Sequence, residues 1–309
     1  MNEMVAITPL PAPVQARMSD DPSEILRFAV DCFDRGEVAI ATLVDIRGGA
    51  ARSLGSLVAV AVDGSYCGYV SGGCVEAAVA FDALLAIAEG RDRTMMFGQG
   101  SPFFDIALPC GGGITVAIHV LRDISAIRLV LERLERRQPV GLRYVPSNQS
   151  LVAVDPPVQS GWFEDEFLSV FLPPTRILIS GRSLEARATA RCATILGYDV
   201  IRIENGNPHY VAKMIDAFTA VVLLHHDLEA EAPLLGLALS SPAFYIGALG
   251  SMKTHSRRVE LLTRSGFART DIDRIKAPIG LFGPARDATS LALSVLADIA
   301  AMRQGIRES

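Results

Sequence analysis

"RILISGRSLEARATARCATILGYDVIRIE", residues 176–204, carries a β-branched run, a glycine turn, a helical pattern and a second β-branched run in immediate succession. The same alternation continues through "TAVVLL" (219–224), a helix over 227–239, "AFYIG" (243–247) and a helix over 253–264. Strands that alternate with helices cannot pair as hairpins. They predict a parallel sheet covered on both faces, a Rossmann-like doubly wound domain.

Upstream the texture differs. Residues 23–35 form a helical pattern with Ser23 as its cap and Gly36 as its stop, followed by "VAIATLVDI" (38–46) and "SLVAVAVDG" (56–64), which read as strands before an Asp-Gly turn. A helix over 75–89 ends at Gly90, strands follow at 93–97 and 114–121, and a charged amphipathic helix covers 123–137. The fold class is therefore α/β, an N-terminal α+β domain followed by the doubly wound one. The expected boundaries are a mobile tail over 1–20, a first domain over 21–145, a linker with short β-like pieces over 146–174, and the second domain over 175–309. Pro173-Pro174 marks the break between the two textures.

A chain of 309 residues with half its residues hydrophobic has material for two cores. Its formal charge of −5 argues against nucleic acid, which demands a concentrated basic face. The first twenty residues carry Glu3 and three prolines rather than a basic start and an apolar run, and the apolar stretches are interrupted by Asp82, Glu229 or Asp298. A cytoplasmic protein without a membrane span is expected. Five cysteines, none spaced as C-x-x-C, argue against both a disulfide framework and a tetrahedral zinc site.

Two of those cysteines stand in glycine turns. In "SGGCVEAA" (71–78), Gly72 and Gly73 leave backbone amides free to face an anion, and Cys74 opens a helix whose dipole favours a thiolate. Cys74 is thus a candidate nucleophile, sulfur carrier or soft metal ligand; the other reading is a small buried cysteine where a helix enters the core. "ALPCGGG" (107–113) supplies Cys110 with Gly111 and Gly112. "RGGAARSLGS" (47–56) is a third glycine-rich loop, in which Arg47 and Arg52 are candidate phosphate ligands or solvated loop residues.

In the second domain Gly181-Arg182-Ser183 occupies the place of a G-x-G-x-x-G turn, with Ser183 where a second glycine would admit a pyrophosphate. Glu204 ends the next strand, where a ribose hydroxyl would be read. Other strand ends carry "HHD" (225–227) and "GALGSMKTHSRR" (247–258), the latter offering Gly247, Gly250, Ser251, Lys253 and His255 to an anion, with Arg257 and Arg258 behind them.

"GYVSGGCVEAAV" with "CGGG" downstream, then "SPAFYIGALGSMKTHSRRVELL", "RIKAPIGL" and a long last helix, together resemble the XdhC/CoxI family of accessory proteins for molybdenum hydroxylases. The resemblance implies a chaperone, more a maturation factor than a catalyst, that binds the molybdenum cofactor (molybdopterin, as such or as a dinucleotide). It further implies support for sulfuration with a cysteine desulfurase and insertion into an apo molybdenum hydroxylase such as xanthine dehydrogenase or carbon monoxide dehydrogenase. A homodimer is a further option. By position, Cys74 is the first candidate for holding the metal and Cys110 the second. The chain departs from the family pattern at Gly48-Gly49-Ala50-Ala51-Arg52, which keeps the arginine of a Gly-Ser-x-Pro-Arg loop but not its serine and proline, at Gly181-Arg182-Ser183, and at Phe282-Gly283-Pro284-Ala285. An NAD(P)-dependent oxidoreductase using the second domain is the rival reading.

Overall fold

Small and β-branched residues dominate the strands of the first unit, and their side chains alternate between two cores as the period of two requires. The computed structural model describes residues 10–101, 111–203 and 208–308. Its chain divides into two compact units, 1–173 and 174–309.

The first unit begins with β1 (Val14–Arg17), α1 (Pro22–Phe33), β2 (Val38–Arg47), β3 (Leu57–Ala61), β4 (Ser65–Gly68), α2 (Glu76–Glu89), β5 (Arg93–Gly98), β6 (Gly113–Val120) and α3 (Ser125–Glu135). The strands form one sheet in the order β1-β4-β3-β2-β6-β5. Ala39, Ala41 and Leu43 of β2 face α2, whereas Val38 and Ile40 face α1 and α3. Helix α2 stops at Gly90, whose left-handed φ of 63° suits glycine.

Two expectations change here. Residues 14–17, inside the expected mobile tail, pair in parallel with β4, with Val14 opposite Ser65. Asp21 rather than Ser23 caps α1, its carboxylate accepting from the Ser23 amide at 2.8 Å. Ser23 is itself helical, and the proline at the first helical position needs no amide partner.

The expected linker is a correction too. β7 (Val140–Val145), β8 (Ser150–Val154), β9 (Gly161–Phe163) and β10 (Glu166–Phe171) form an antiparallel sheet in the order β8-β7-β10-β9. Val140, Leu142 and Phe171 join the core beside α1 and α3, so this sheet belongs to the first unit. Pro146, Pro156 and Pro157 fall in its connections, where no ladder amide is needed. Buried Asp92 ties β5, β6 and β7 together, accepting from His119 Nδ1 at 2.7 Å, the Val120 amide at 3.1 Å and the Tyr144 hydroxyl at 3.0 Å. Burial alone would raise its pKa, but these donors outweigh it and hold the carboxyl below the usual range.

The second unit runs β11 (Arg176–Ser180), α4 (Leu184–Ile195), β12 (Asp199–Ile203), α5 (Pro208–Ala212), β13 (Thr219–Leu223), α6 (Leu228–Leu239), β14 (Tyr245–Ala248), α7 (Met252–Arg264), α8 (Arg269–Ile272), β15 (Ile275–Lys276) and α9 (Ala288–Glu308). All neighbours in its sheet, ordered β12-β11-β13-β14-β15, are parallel. Leu178, Val221 and Ile246 pack towards α6 and α7; Ile177, Ala220 and Val222 pack towards α4 and α9. Since the chain leaves β11 first for β12 and then returns to β13 on its other side, the switch point lies at the carboxyl ends of β11 and β13.

Candidate functional site

In the first unit, antiparallel pairing brings the ends of β2 and β4 and the starts of β3 and β6 to one edge of the sheet. Three glycine-rich loops therefore meet there. Gly112 lies so close to the 47–49 backbone that a Cβ would come within 2.2 Å of the Gly49 carbonyl, and a Cβ on Gly72 would stand 3.6 Å from that of Ala51. Gly111 lies exposed at the same edge, whereas Cys110 lies outside the described residues.

Cys74 is exposed, which removes the reading of a buried core cysteine. It precedes α2 rather than lying within it, because Val75 takes the N-cap position without a side-chain hydrogen bond. Gly72 and Gly73 are exposed beside it. The amides of Val70, Ser71 and Val75 are taken by the chain's own Glu76 carboxylate, at 3.2, 2.7 and 3.2 Å, so these amides of the turn before the helix are already engaged. Sequence reasoning passed over Glu76 and Ser71. The signal was the acidic residue at the first helical position behind an apolar cap, with serine in the turn before it.

Arg52 stands on the same edge. Its Nε donates to the Ser71 carbonyl at 3.2 Å, its Nη1 meets Asp20 at 2.6 Å, and its guanidinium lies over the Tyr69 ring at 5.4 Å. Arg47 is a correction to the phosphate expectation. Its three nitrogens are bound by the Gln99 carbonyl, Asp45, Thr115 and the Ile114 carbonyl, which makes it a brace between β2 and β6.

In the second unit Gly181 has φ of 138° and lies against the Leu224 carbonyl, where a Cβ would approach to 2.4 Å. Ser183 caps α4, its Oγ accepting from the Ala186 amide at 3.3 Å. The hydroxyl that replaces the second glycine is thus engaged in closing the helix. At the switch point Ser180 Oγ meets His225 Nε2 at 2.7 Å. Burial pushes the His225 pKa down, Asp227 and Glu231 oppose this, and His226 adds to it. His225, rather than exposed His226, is the histidine that faces the sheet, and Asp227 caps α6. Glu204 lies outside the described residues.

At the end of β14, Ser251 caps α7 and accepts from the Thr254 amide at 3.3 Å. Lys253 is exposed, Gly250 has φ of 132°, and the space beside Gly247 is filled by Ile279. His255 is partly buried, with a pKa lowered by burial and then by Arg258 and Arg269. Arg258 does not face solvent as expected of a basic helix face. It is 2% exposed, forms a buried ion pair with Glu231 and donates to the Leu249 carbonyl at 2.8 Å. Among the described residues no three His, Cys, Asp or Glu side chains form a metal-holding group, and no helix is long and apolar enough to cross a membrane.

An exposed thiol on a glycine turn in an α+β unit, followed in the chain by a parallel-sheet unit, defines the class. The model for the XdhC and CoxI family matches residues 33–98, and that for the XdhC Rossmann domain matches 177–299. The molybdenum cofactor insertion chaperone PaoD of Escherichia coli is 51% identical over 292 residues, covering 94% of this chain and 92% of that protein. This chain belongs to the XdhC and CoxI family. The uncharacterized protein YqeB of Escherichia coli is 27% identical over 84% of this chain, which spans 42% of that protein. A crystal structure described as a xanthine dehydrogenase from Bacillus halodurans has the same fold, with a TM-score of 0.72 over 92% of this chain and 96% of that one at 19% identity.

Proposed function

We propose that this protein is a molybdenum cofactor chaperone that holds the cofactor, supports its sulfuration with a cysteine desulfurase and inserts it into an apo molybdenum hydroxylase in the cytoplasm. The observation that carries this reading is the exposed Cys74 thiol on the turn whose Ser71 carbonyl holds Arg52, in a chain 51% identical to an insertion chaperone. Because the described residues form no metal cage, the donor set suits a metal that arrives with ligands of its own and needs one soft protein donor. Cys74 would be that donor. Cys110 is the second candidate, from beyond the described residues.

Arg52 would take the pterin phosphate. Its pairing with largely exposed Asp20 is a surface contact of little worth, whereas a phosphate offers the guanidinium two parallel charged bonds. Gly72, Gly73, Gly111 and Gly112 keep side chains away from the loops that would line the ligand. Taken by itself, the second unit offers Gly181, Ser183, Glu204, Gly247, Gly250, Ser251, Lys253 and His255 as candidates for a nucleotide site of its own, with the Ser183 hydroxyl engaged as the α4 cap.

The test is the pterin and molybdenum content of protein purified from a cofactor-producing host. Cys74→Ala is expected to lose most of the bound metal, and equal content in variant and wild type would refute the role given to Cys74. Activation of an apo-hydroxylase with and without a cysteine desulfurase reads the insertion and sulfuration steps separately.

A further inference from the structure

Helix α2 has an unusual entrance. Ser, Thr, Asp and Asn serve best as N-caps, but here the cap is Val75, which offers no side-chain acceptor. Glu76, the first helical residue, instead curls back to take amides of the turn before the helix, and is 2% exposed. Its Oε1 accepts from the Val70 and Ser71 amides, its Oε2 from Val75, and both oxygens lie within 2.9 Å of the Ser71 hydroxyl. A carboxylate has about four lone-pair sites, and these donors fill them.

The anchoring extends to the thiol residue. Ser71 Oγ, held by Glu76, accepts from the Cys74 amide at 3.2 Å, while the Ser71 carbonyl accepts from Arg52. Gly73 between them has φ of 104° with no atom within 4 Å of a Cβ position, so glycine is required there by backbone conformation and not by crowding. Val70 and Val75 anchor the two ends of the turn in the core behind α2, whereas Gly72, Gly73 and Cys74 between them are exposed. The shape of that exposed middle depends on the hydrogen bonds that run from Glu76 through Ser71 to Cys74.

We propose that Glu76 is the positioning residue of the site: its buried carboxylate fixes the 70–75 turn so that the Cys74 thiol stands exposed on the turn to which Arg52 is bound. This rests on the reading of Cys74 as the cofactor's protein ligand. The donors it occupies also exclude a ligand phosphate from the amides of Val70, Ser71 and Val75, leaving Arg52 as the cation for that group.

The experiment compares full-length wild type, Glu76→Ala, Glu76→Gln and Cys74→Ala, purified from the same cofactor-producing host and kept at a temperature where circular dichroism shows each to be folded. Hydrogen exchange and pterin content are measured on each. Loss of bonds to a charged acceptor is expected to speed exchange of the 70–75 amides in Glu76→Ala by about tenfold or more, with the rest of the map unchanged. Pterin content should fall to the Cys74→Ala level. Glu76→Gln, which keeps one acceptor oxygen at the same reach, should recover part of both. A low pterin content in Cys74→Ala with wild-type content in Glu76→Ala overturns the positioning role alone, as does unchanged exchange over 70–75. Wild-type content in Cys74→Ala overturns the cofactor reading and the positioning role with it.

Discussion

His225 follows β13 at the switch point, and burial is the main reason its imidazole binds a proton less readily than in the unfolded chain. The unfolded histidine titrates near about pH 6.5, so below that value the unfolded state takes up protons that the folded state refuses. The His225 contribution to stability should therefore be constant above about pH 6.5 and fall as pH drops from there towards the lower folded value. His225→Gln retains a partner for Ser180 but cannot be protonated. Its melting temperature should fall less steeply between neutral and mildly acidic pH than that of wild type. It will not be flat, because His255 is shifted in the same direction. Equal slopes would show that His225 is not buried in solution.

At the scale of elements, helices and central strands were legible because each carries its own period and stop signal. The 176–264 alternation, the Gly90 stop of α2 and the β3–β4 turn all follow from local residues. What escaped were elements defined by distant partners. β1 is four residues long, and its stability comes from β4; β8 to β10 are short strands whose intervening prolines read as breaks until the pairing of β8 and β10 with β7, and of β9 with β10, is known. The tie between α6 and α7 escaped for a related reason, since Arg258 lies in a run of basic residues and its partner Glu231 is on another helix. With Glu231 1% exposed, Arg258→Met should cost about 3–5 kcal/mol in urea unfolding by leaving a buried carboxylate unpaired. Glu231→Gln combined with Arg258→Met should recover much of that loss. Additive losses in the double variant would mean that the pair is not coupled.

Over the whole molecule, the two units keep different parts of their sequence patterns, and this bears on which of them handles a small ligand. The first retains an exposed thiol and a braced arginine on one loop edge, and the candidate residues there could be named from sequence because cysteine, glycine and arginine announce their chemistry. Glu76 could not, since a glutamate at a helix start ordinarily faces water. The second unit keeps the parallel sheet and the switch point, but Ser183 closes the turn that a dinucleotide would enter. Titration of the full-length protein with NADH and NADPH, followed by nucleotide fluorescence, should accordingly give no saturable change. Ser183→Gly removes the cap hydroxyl at a cost of only a few tenths of a kcal/mol, so the variant should remain folded. A gain of NADH binding in that variant alone would identify the serine cap as what shuts the site. Binding by the wild type would shift the function towards the second unit, because a competent nucleotide turn would then coexist with the thiol edge.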